Sequence, residues 1–284
     1  MNVKAYAKIN LGLHIVGKRQ DGFHDIETIF HRINLYDEIN IENSEDISIS
    51  CSNPSIPTDS GNLCWKAADL LRKESGKTNG ARIEIKKNIP VGAGLGGGSS
   101  DAASVLTALN GLWKLSLDRS TLHRIALQLG SDVPFFLEHS SAYAEGRGER
   151  LLSIDLRLPY WIVLVNPNIH VSTPWAYKRL SDLRNGTFPQ RQHLIERIGD
   201  APVTGILNAE NDFEEIVFAE HQKIRKIKLQ LTELGAVLSL MSGSGSTMFG
   251  LFNDMVAALK AVQFFSTEYF VHMTEPLFIP ERND

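Results

Sequence analysis

The sequence predicts an α+β protein, with strands concentrated in the N-terminal half and helices alternating with strands in the C-terminal half. Apolar side chains occupy alternate positions from Val3 to Ile15, which is typical of a half-buried strand. The second half carries helix signals such as Thr173-Pro174, with threonine as the cap and proline at the first helical position. No apolar run reaches the ~18 residues of a membrane span.

Composition limits the classes of function. The chain has 284 residues, 43% hydrophobic and 22% charged, with a net charge of −4. This is an ordinary globular composition without a basic block, so we expect neither a nucleic-acid nor a membrane partner. Cys51 and Cys64 fit no zinc spacing, and the alternating N-terminus is not a secretory signal, so free thiols in a reducing cytoplasm are expected. The sequence predicts no oligomeric state.

Periodicity and turn residues predict the order of the elements. In the first half we expect strands at 3–16, 24–34, 37–43, 46–51 and 81–89, helices at 62–75, 99–113 and 118–129, and a hairpin at 142–155. In the second half we expect strands at 160–166 and 268–273, two short strands flanking 242–246, and helices at 174–184, 191–198, 205–219, 221–234 and 254–265. We place a domain boundary near 155, giving domains 1–155 and 156–284.

The stretch PVGAGLGGGSSDAASVL, residues 90–106, contains five glycines and leads into a predicted helix. It matches G-x-G-x-x-G, but the acidic residue at the required distance, Asp118, belongs to a helix rather than to the end of a second strand. It also lacks the lysine of a Walker P-loop. Glycine backbone before a helix N-terminus can bind a phosphate chain through its N–H groups. An anion-binding loop is therefore favoured over a flexible surface loop.

Other polar residues are ambiguous when taken singly. Lys8 and Asn10 share one face of the first strand, and a solvent-exposed face is the simplest interpretation. Asp132, in GSDVPFF, is either a helix cap or a buried functional carboxylate, and the residues leave both open. Taken alone, His24 is predicted to be a surface histidine and Tyr177 a core residue. The segment SGSGS at 242–246 is predicted to be a turn between strands.

Together these segments resemble the GHMP kinase superfamily. The resemblance rests on AKINL at 7–11, R-x-D-G-F-H at 19–24, the glycine stretch with its SSDAA, GSDVPFF at 130–136 and SGSGS at 242–246. It implies a two-domain fold with a strand-rich ATP-binding domain, a ferredoxin-like second domain and an active site between them. The R-x-D-G-F-H turn points to the members that phosphorylate the 2-hydroxyl of a cytidine-diphosphate-linked methylerythritol. A mevalonate- or homoserine-type kinase and a non-catalytic nucleotide-binding protein are the alternatives.

The resemblance also implies roles for individual residues, with ATP and Mg²⁺ as cofactors and a cytidylyl compound as the substrate. Lys8 and Asp132 would be the catalytic pair. Asn10, Phe23, His24, Thr173 and Tyr177 would bind the substrate, with Phe23 and Tyr177 flanking the base. The residues implied to bind ATP are Pro90, Val91, Gly92, Ala93, Gly94, Leu95, Gly96, Gly97, Gly98, Ser99, Ser100 and Asp101. No metal ligand is assigned. Phe23 replaces the usual tyrosine, and Ser131 the usual alanine.

Overall fold

Two β-sheets with helices packed on them make up the computed structural model, which describes residues 1–199 and 201–281. The first sheet contains β1 (Asn2–Lys18), β2 (His24–Ser44), β3 (Ser48–Cys51), β4 (Gly80–Lys86), β5 (Ser141–Gly146) and β6 (Arg150–Ser153). The second contains β7 (Trp161–Asn166), β8 (Leu238–Met241), β9 (Met248–Phe252) and β10 (Phe270–Thr274). The α+β prediction is confirmed.

The helices fall into two groups along the chain. Those of the first half are α1 (Leu63–Ser75), α2 (Gly97–Leu112), α3 (Arg119–Leu129) and α4 (Phe135–Glu138). Those of the second half are α5 (Thr173–Leu183), α6 (Leu194–Ile198), α7 (Pro202–Gly205), α8 (Glu214–Glu220), α9 (Gln222–Glu233) and α10 (Met255–Phe265), with a 3₁₀ turn at Ile206–Asn208. Most differ from the predicted bounds by one to three residues. Thr173 lies inside α5, and Ser172 occupies the cap position.

Strand β2 organises the first sheet. It spans 21 residues and pairs antiparallel with β1, β4 and β5, while β3 lies parallel to β4. The prediction of separate strands at 24–34 and 37–43 was wrong. No glycine or proline occurs near Leu35, and Tyr36 keeps its ladder partner Tyr6 on β1, so nothing ends the strand there.

The second sheet has the order β10-β7-β9-β8 with antiparallel neighbours. With α10 between β9 and β10, and the other helices between β7 and β8, this is the ferredoxin-like arrangement that the resemblance implied. The predicted helix at 205–219 is interrupted instead. The Asn211 side chain donates to the carbonyls of Met241 and Gly243 at 2.7 and 2.8 Å, and the Asp212 amide donates to the Leu13 carbonyl at 2.9 Å.

The two sheets share a hydrophobic core. Ile9 and Leu11 of β1 are fully buried and pack in one cluster with Leu240 of β8 and Phe249 of β9. Removing this apolar surface from water stabilises the contact between the two halves. β1 therefore belongs to the first sheet by its hydrogen bonds and to both halves by its packing. The predicted boundary near 155 falls between β6 and β7 and stays a prediction.

Replacing Asn211 with alanine should destabilise the protein. The side chain is 4% exposed, and its Oδ1 also accepts a hydrogen bond from the Phe213 amide at 2.9 Å. The substitution leaves buried backbone groups unpaired, so the free energy of unfolding should fall by about 3 kcal/mol in urea denaturation. Asn43→Ala, at an exposed position on β2, is the control and should change it by less than about 0.5 kcal/mol. Equal effects of both substitutions would contradict the structural role of Asn211.

Candidate active site

The glycine stretch forms a tight turn between β4 and α2. Gly92, Gly94 and Gly96 have φ of 63°, 77° and 70°, in the left-handed region that suits glycine. A Cβ at Gly94 would lie 2.0 Å from the carbonyl oxygen of Ser242, so no side chain fits there. α2 begins at Gly97, and the first N–H groups of a helix have no intrahelical partner. The turn therefore offers free N–H donors at a helix N-terminus, as an anion-binding loop requires.

A cavity of about 410 Å³ opens along this stretch. Its wall includes residues 55–57 and 61–64, at and before the start of α1, together with Lys87. Ser100 is not in the wall, because it is 2% exposed and its hydroxyl donates to the Tyr6 carbonyl at 2.7 Å. A larger cavity, about 810 Å³, contains none of the predicted site residues. The predicted residues that line the smaller cavity are Pro90, Val91, Gly92, Ala93, Gly94, Leu95, Gly96, Gly97, Gly98, Ser99 and Asp101.

Lys8 and Asn10 are buried, so the solvent-exposed strand face is excluded. The Lys8 ammonium donates to Oδ1 of Asn10 at 2.6 Å and lies 3.6 Å from Oδ2 of Asp132. Nδ2 of Asn10 donates to the hydroxyl of Thr28 at 2.8 Å. Two residues from β1 and one from a turn far along the chain thus meet at one point.

Asp132 lies in the turn between α3 and α4. α4 has Pro134 at its cap position and no side-chain cap, so the carboxylate does not serve as the helix cap. Its side chain is 33% exposed, whereas that of Lys8 is 5% exposed. The carboxylate therefore joins a buried ammonium to an open cleft. Of the two alternatives for Asp132, the helix cap was wrong, and the functional carboxylate stays a prediction.

Lys8 passes directly beneath the glycine stretch. A Cβ at Gly96 would lie 3.2 Å from Cε of Lys8 and 2.8 Å from the Phe136 ring. The Lys8 amide donates to the Leu95 carbonyl at 3.0 Å. Burial lowers the pKa of Lys8, and the Asp132 carboxylate opposes this effect. The ammonium and the turn are thus held in contact by both backbone and side-chain atoms.

The turn between β1 and β2 presents an aromatic surface. Phe23 is 53% exposed, and the Arg147 guanidinium lies over its ring at 4.9 Å. His24 stacks on Tyr177, with ring centroids 4.8 Å apart, and its Nε2 is hydrogen-bonded to the Ser181 hydroxyl at 2.7 Å. The His24 ring covers one face of Tyr177, and the Phe213 ring meets Tyr177 at 90° with the centroids 4.9 Å apart. The expected arrangement of Phe23 and Tyr177 around one base stays a prediction.

Phe188 is a site residue that the sequence did not reveal. Its ring meets the edge of His24 with the centroids 5.9 Å apart. The residue follows α5 in an irregular segment, and a single phenylalanine among polar residues gives no periodic signal. With Phe23 and His24 it provides the aromatic rings at this end of the cleft.

The second glycine-rich segment, 242–246, lies against the first. The Ser242 hydroxyl donates to the Gly94 carbonyl at 2.9 Å and accepts from the Asn10 amide at 3.3 Å. The hydroxyls of Thr173 and Ser244 share a hydrogen bond of 2.8 Å. The segment is a turn between β8 and β9, as predicted, but its serines also link both halves of the chain at the cleft.

A cluster with metal-binding side chains lies elsewhere. Ligand atoms of Glu27, Glu145 and His193 lie within 4.8 Å of one another. Thr28, the next residue on β2, contacts Asn10. Because side chains alternate along a strand, Glu27 lies on the opposite face of the sheet. His193 pairs with Glu27, and Tyr143 donates to Glu145 at 3.0 Å. These mutual contacts account for the cluster without an ion, and it does not face the glycine stretch.

Sequence models of two domains match the chain. Residues 62–139 match the GHMP kinases N terminal domain, and residues 195–271 match the GHMP kinases C terminal domain. A relative from Chlorobium phaeobacteroides, named 4-diphosphocytidyl-2-C-methyl-D-erythritol kinase, is 46% identical over 98% of this chain and 98% of its own length. The chain belongs to the GHMP kinase family. Members of this family are ATP-dependent small-molecule kinases, and this chain is one of them.

Solved structures agree with membership in the GHMP kinase family. A crystal structure of 4-(cytidine 5'-diphospho)-2C-methyl-D-erythritol kinase superposes with a TM-score of 0.81, at 35% identity over 96% of this chain and 98% of that one. Homoserine kinase from Cytophaga hutchinsonii superposes with a TM-score of 0.73 at 15% identity, over 97% and 95% of the two chains, which is a likeness of fold alone. No helix among the described residues has the length and apolarity to cross a bilayer.

Proposed function

We propose that this GHMP kinase transfers the γ-phosphoryl group of ATP to the 2-hydroxyl of 4-diphosphocytidyl-2-C-methyl-D-erythritol, a step of non-mevalonate isoprenoid precursor biosynthesis. The main support for this proposal is the 46% identity, over 98% of both chains, to a relative named for that activity. The R-x-D-G-F-H turn, present as an aromatic surface beside a cleft, supports the same substrate.

The glycine stretch is the proposed binding site for the ATP phosphates. The positive end of the α2 dipole and the free N–H groups at its start favour a polyphosphate. The cavity beside them, about 410 Å³, extends to the start of α1 and has room for the nucleoside. ATP bound there would direct its terminal phosphate toward Gly96, beneath which Lys8 lies.

Asp132 is the proposed general base. A tertiary hydroxyl is a weak nucleophile, and a carboxylate within hydrogen-bond reach can accept its proton as the phosphoryl group is transferred. The Lys8 ammonium, 3.6 Å away, pairs with that carboxylate and orients it. It can also stabilise negative charge on the transferred group. Asn10 fixes the ammonium through its Oδ1 and lies next to the acceptor position.

The aromatic surface is the proposed binding site for cytosine. Phe23 is exposed enough for its ring to stack on a base. The His24 ring is oriented by Tyr177 and Ser181, and Phe188 lies at its edge. Thr173, in the first turn of α5 and hydrogen-bonded to Ser244, is the proposed contact for the methylerythritol diphosphate part of the substrate.

Mg²⁺ is the proposed cofactor, bound chiefly through the phosphates of ATP, whose charge it would neutralise. Ser99 is half-buried in the cavity wall, so its hydroxyl can reach an ion on the phosphates. The Ser100 hydroxyl is held by the Tyr6 carbonyl and does not fit this role. Asp101 is also unsuited, because it pairs with Lys87.

Two alternatives are less well supported. Homoserine and mevalonate carry no base, so the aromatic surface around His24 would have no ligand in a kinase for either of them. A non-catalytic nucleotide-binding protein would have no need of the buried ammonium and carboxylate at Lys8 and Asp132. An assay of ADP release from ATP discriminates the three: we expect release with the cytidylylated methylerythritol and none above background with mevalonate or homoserine.

Replacing Asp132 with asparagine should remove the proton acceptor and lower kcat by about 10² to 10⁴-fold. The side chain keeps its size, so the dissociation constant for ATP should change little. Asp155→Asn is the matched control, since that carboxylate is 86% exposed, and it should leave kcat unchanged. Rates are measured by coupled ADP release and binding by titration calorimetry. Turnover of Asp132→Asn near the normal rate would remove Asp132 as the base.

As pH is raised, the rate of phosphoryl transfer should begin to fall at a pH below the usual lysine pKa. Burial lowers the pKa of Lys8 from its ordinary value of 10.5, so the ammonium loses its proton at a lower pH than an exposed lysine would. The rate is therefore full below the lowered pKa and lost as pH rises through it. In Lys8→Arg the guanidinium stays charged, and this limb should move to higher pH. A wild-type limb at or above 10.5 would contradict the assignment.

A further inference from the structure

Three buried ionic side chains lie beneath the nucleotide cavity. The Lys87 ammonium is 2.7 Å from Oδ2 of Asp101 and also pairs with Asp37. The side chains of Asp37, Lys87 and Asp101 are 0%, 6% and 5% exposed. We call these three residues the lysine network. The catalytic residues proposed above do not include any of them.

The lysine network joins the two ends of the glycine stretch. Oδ1 of Asp37, on β2, accepts hydrogen bonds from the amides of Asn88 and Ile89 at 2.6 and 2.9 Å, just before the stretch begins. Asp101 lies on α2, three residues after Gly98, the last glycine of the stretch. Lys87 therefore connects the chain that enters the turn with the helix that leaves it, and both ends are anchored to the central strand.

The network is costly in free energy if its only purpose is stability. Burial of ions requires desolvation that their mutual attraction often fails to offset. One oxygen of Asp101, Oδ1, is buried and has no partner among the described residues. Burial, and then the Asp37 carboxylate, raise the pKa of Asp101 to about 8, while Lys87 acts in the opposite direction. Burial opposes the charged form of Lys87, but the two carboxylates raise its pKa.

The ammonium also lies close to the phosphate-binding N–H groups. A Cβ at Gly97, the first residue of α2, would be 3.3 Å from Nζ of Lys87 and 3.0 Å from Ile89. Without the Lys87 cation, the acidic pair of Asp37 and Asp101 beneath the start of α2 would carry a net negative charge, which opposes a polyphosphate. The lysine thus offsets negative charge near the helix N-terminus, where the phosphates of ATP would add further negative charge.

We propose that Lys87 is a positioning residue for ATP: bound by Asp37 and Asp101, it fixes the separation of the two ends of the glycine stretch and neutralises the carboxylates beneath the phosphate site. The proposal deepens the proposed function and rests on it. Lys87 acts through the backbone of the turn. Its loss should weaken ATP binding more than binding of the cytidylyl acceptor, whose proposed contacts lie at the other end of the cleft.

Lys87→Met tests this, with Lys86→Met as a matched control. Lys86 is the neighbouring lysine, its side chain is 65% exposed, and it pairs with Glu38 at the surface. We expect the dissociation constant for ATP to rise about tenfold or more in Lys87→Met and to change less than about twofold in Lys86→Met. The KM for the acceptor, measured at saturating ATP, should stay within about threefold in both variants. Lys87→Arg retains charge and reach, and should recover part of the affinity.

The outcomes separate the inference from the function on which it rests. If ATP binds Lys87→Met and Lys86→Met equally well, the inference is overturned while the kinase activity stands. Equal losses for ATP and acceptor would indicate general disruption and would also overturn it. Failure of the wild-type chain to bind ATP would overturn both. If Lys87→Met does not fold, as judged by its thermal transition, Asp101→Asn replaces it, with a smaller rise expected for ATP alone.

Discussion

The buried ammonium of Lys8 is the constraint around which the cleft is arranged. A charge with 5% of its side chain exposed must be compensated, because an isolated ion in a protein interior is very costly. Asn10 and Asp132 provide that compensation, one from the same strand and one from a turn more than a hundred residues later. Bringing them together fixes β1, β2 and the α3–α4 turn relative to one another, and the glycine stretch is then bonded to the same strand through Leu95.

The second half of the chain reaches this point through side chains that bond backbone groups. Ser242 bonds both Gly94 and Asn10, and Asn211 supports the segment from behind through the Met241 and Gly243 carbonyls. Such close approach is possible only because glycine occupies position 94. The cleft is therefore made by two glycine-rich turns in contact, one from each half.

The features predicted correctly from the sequence depend on residues that are close together along the chain. The strand character of β1, the bounds of α1 and the turn at 242–246 follow from residue types, and the structure agrees with each. The half-buried character predicted for β1 was wrong, because β1 is buried on both faces from Ala5 to Ile15. The misses depend on distant partners. Asn211 interrupts a periodic helix pattern because carbonyls some 30 residues later take its amide. Tyr177 is covered by His24, 153 positions earlier, and Lys87 pairs across 50 residues with Asp37. Periodicity carries no information on such pairs, whereas the family motifs identified Lys8 and Asp132 although neither was distinctive alone.

The uninterrupted strand β2 sets the distance between two parts of the proposed site. His24, at its first position, lies by the aromatic surface, and Phe30, six positions on, is the ladder partner of Asn10. At ~3.3 Å per residue, these two points are roughly 20 Å apart along one rigid element. In the proposed function, an alcohol bound by its base at the aromatic surface has to be extended enough to bridge that interval. Under that proposal, the length of β2 would exclude compact alcohols by reach as well as by chemistry.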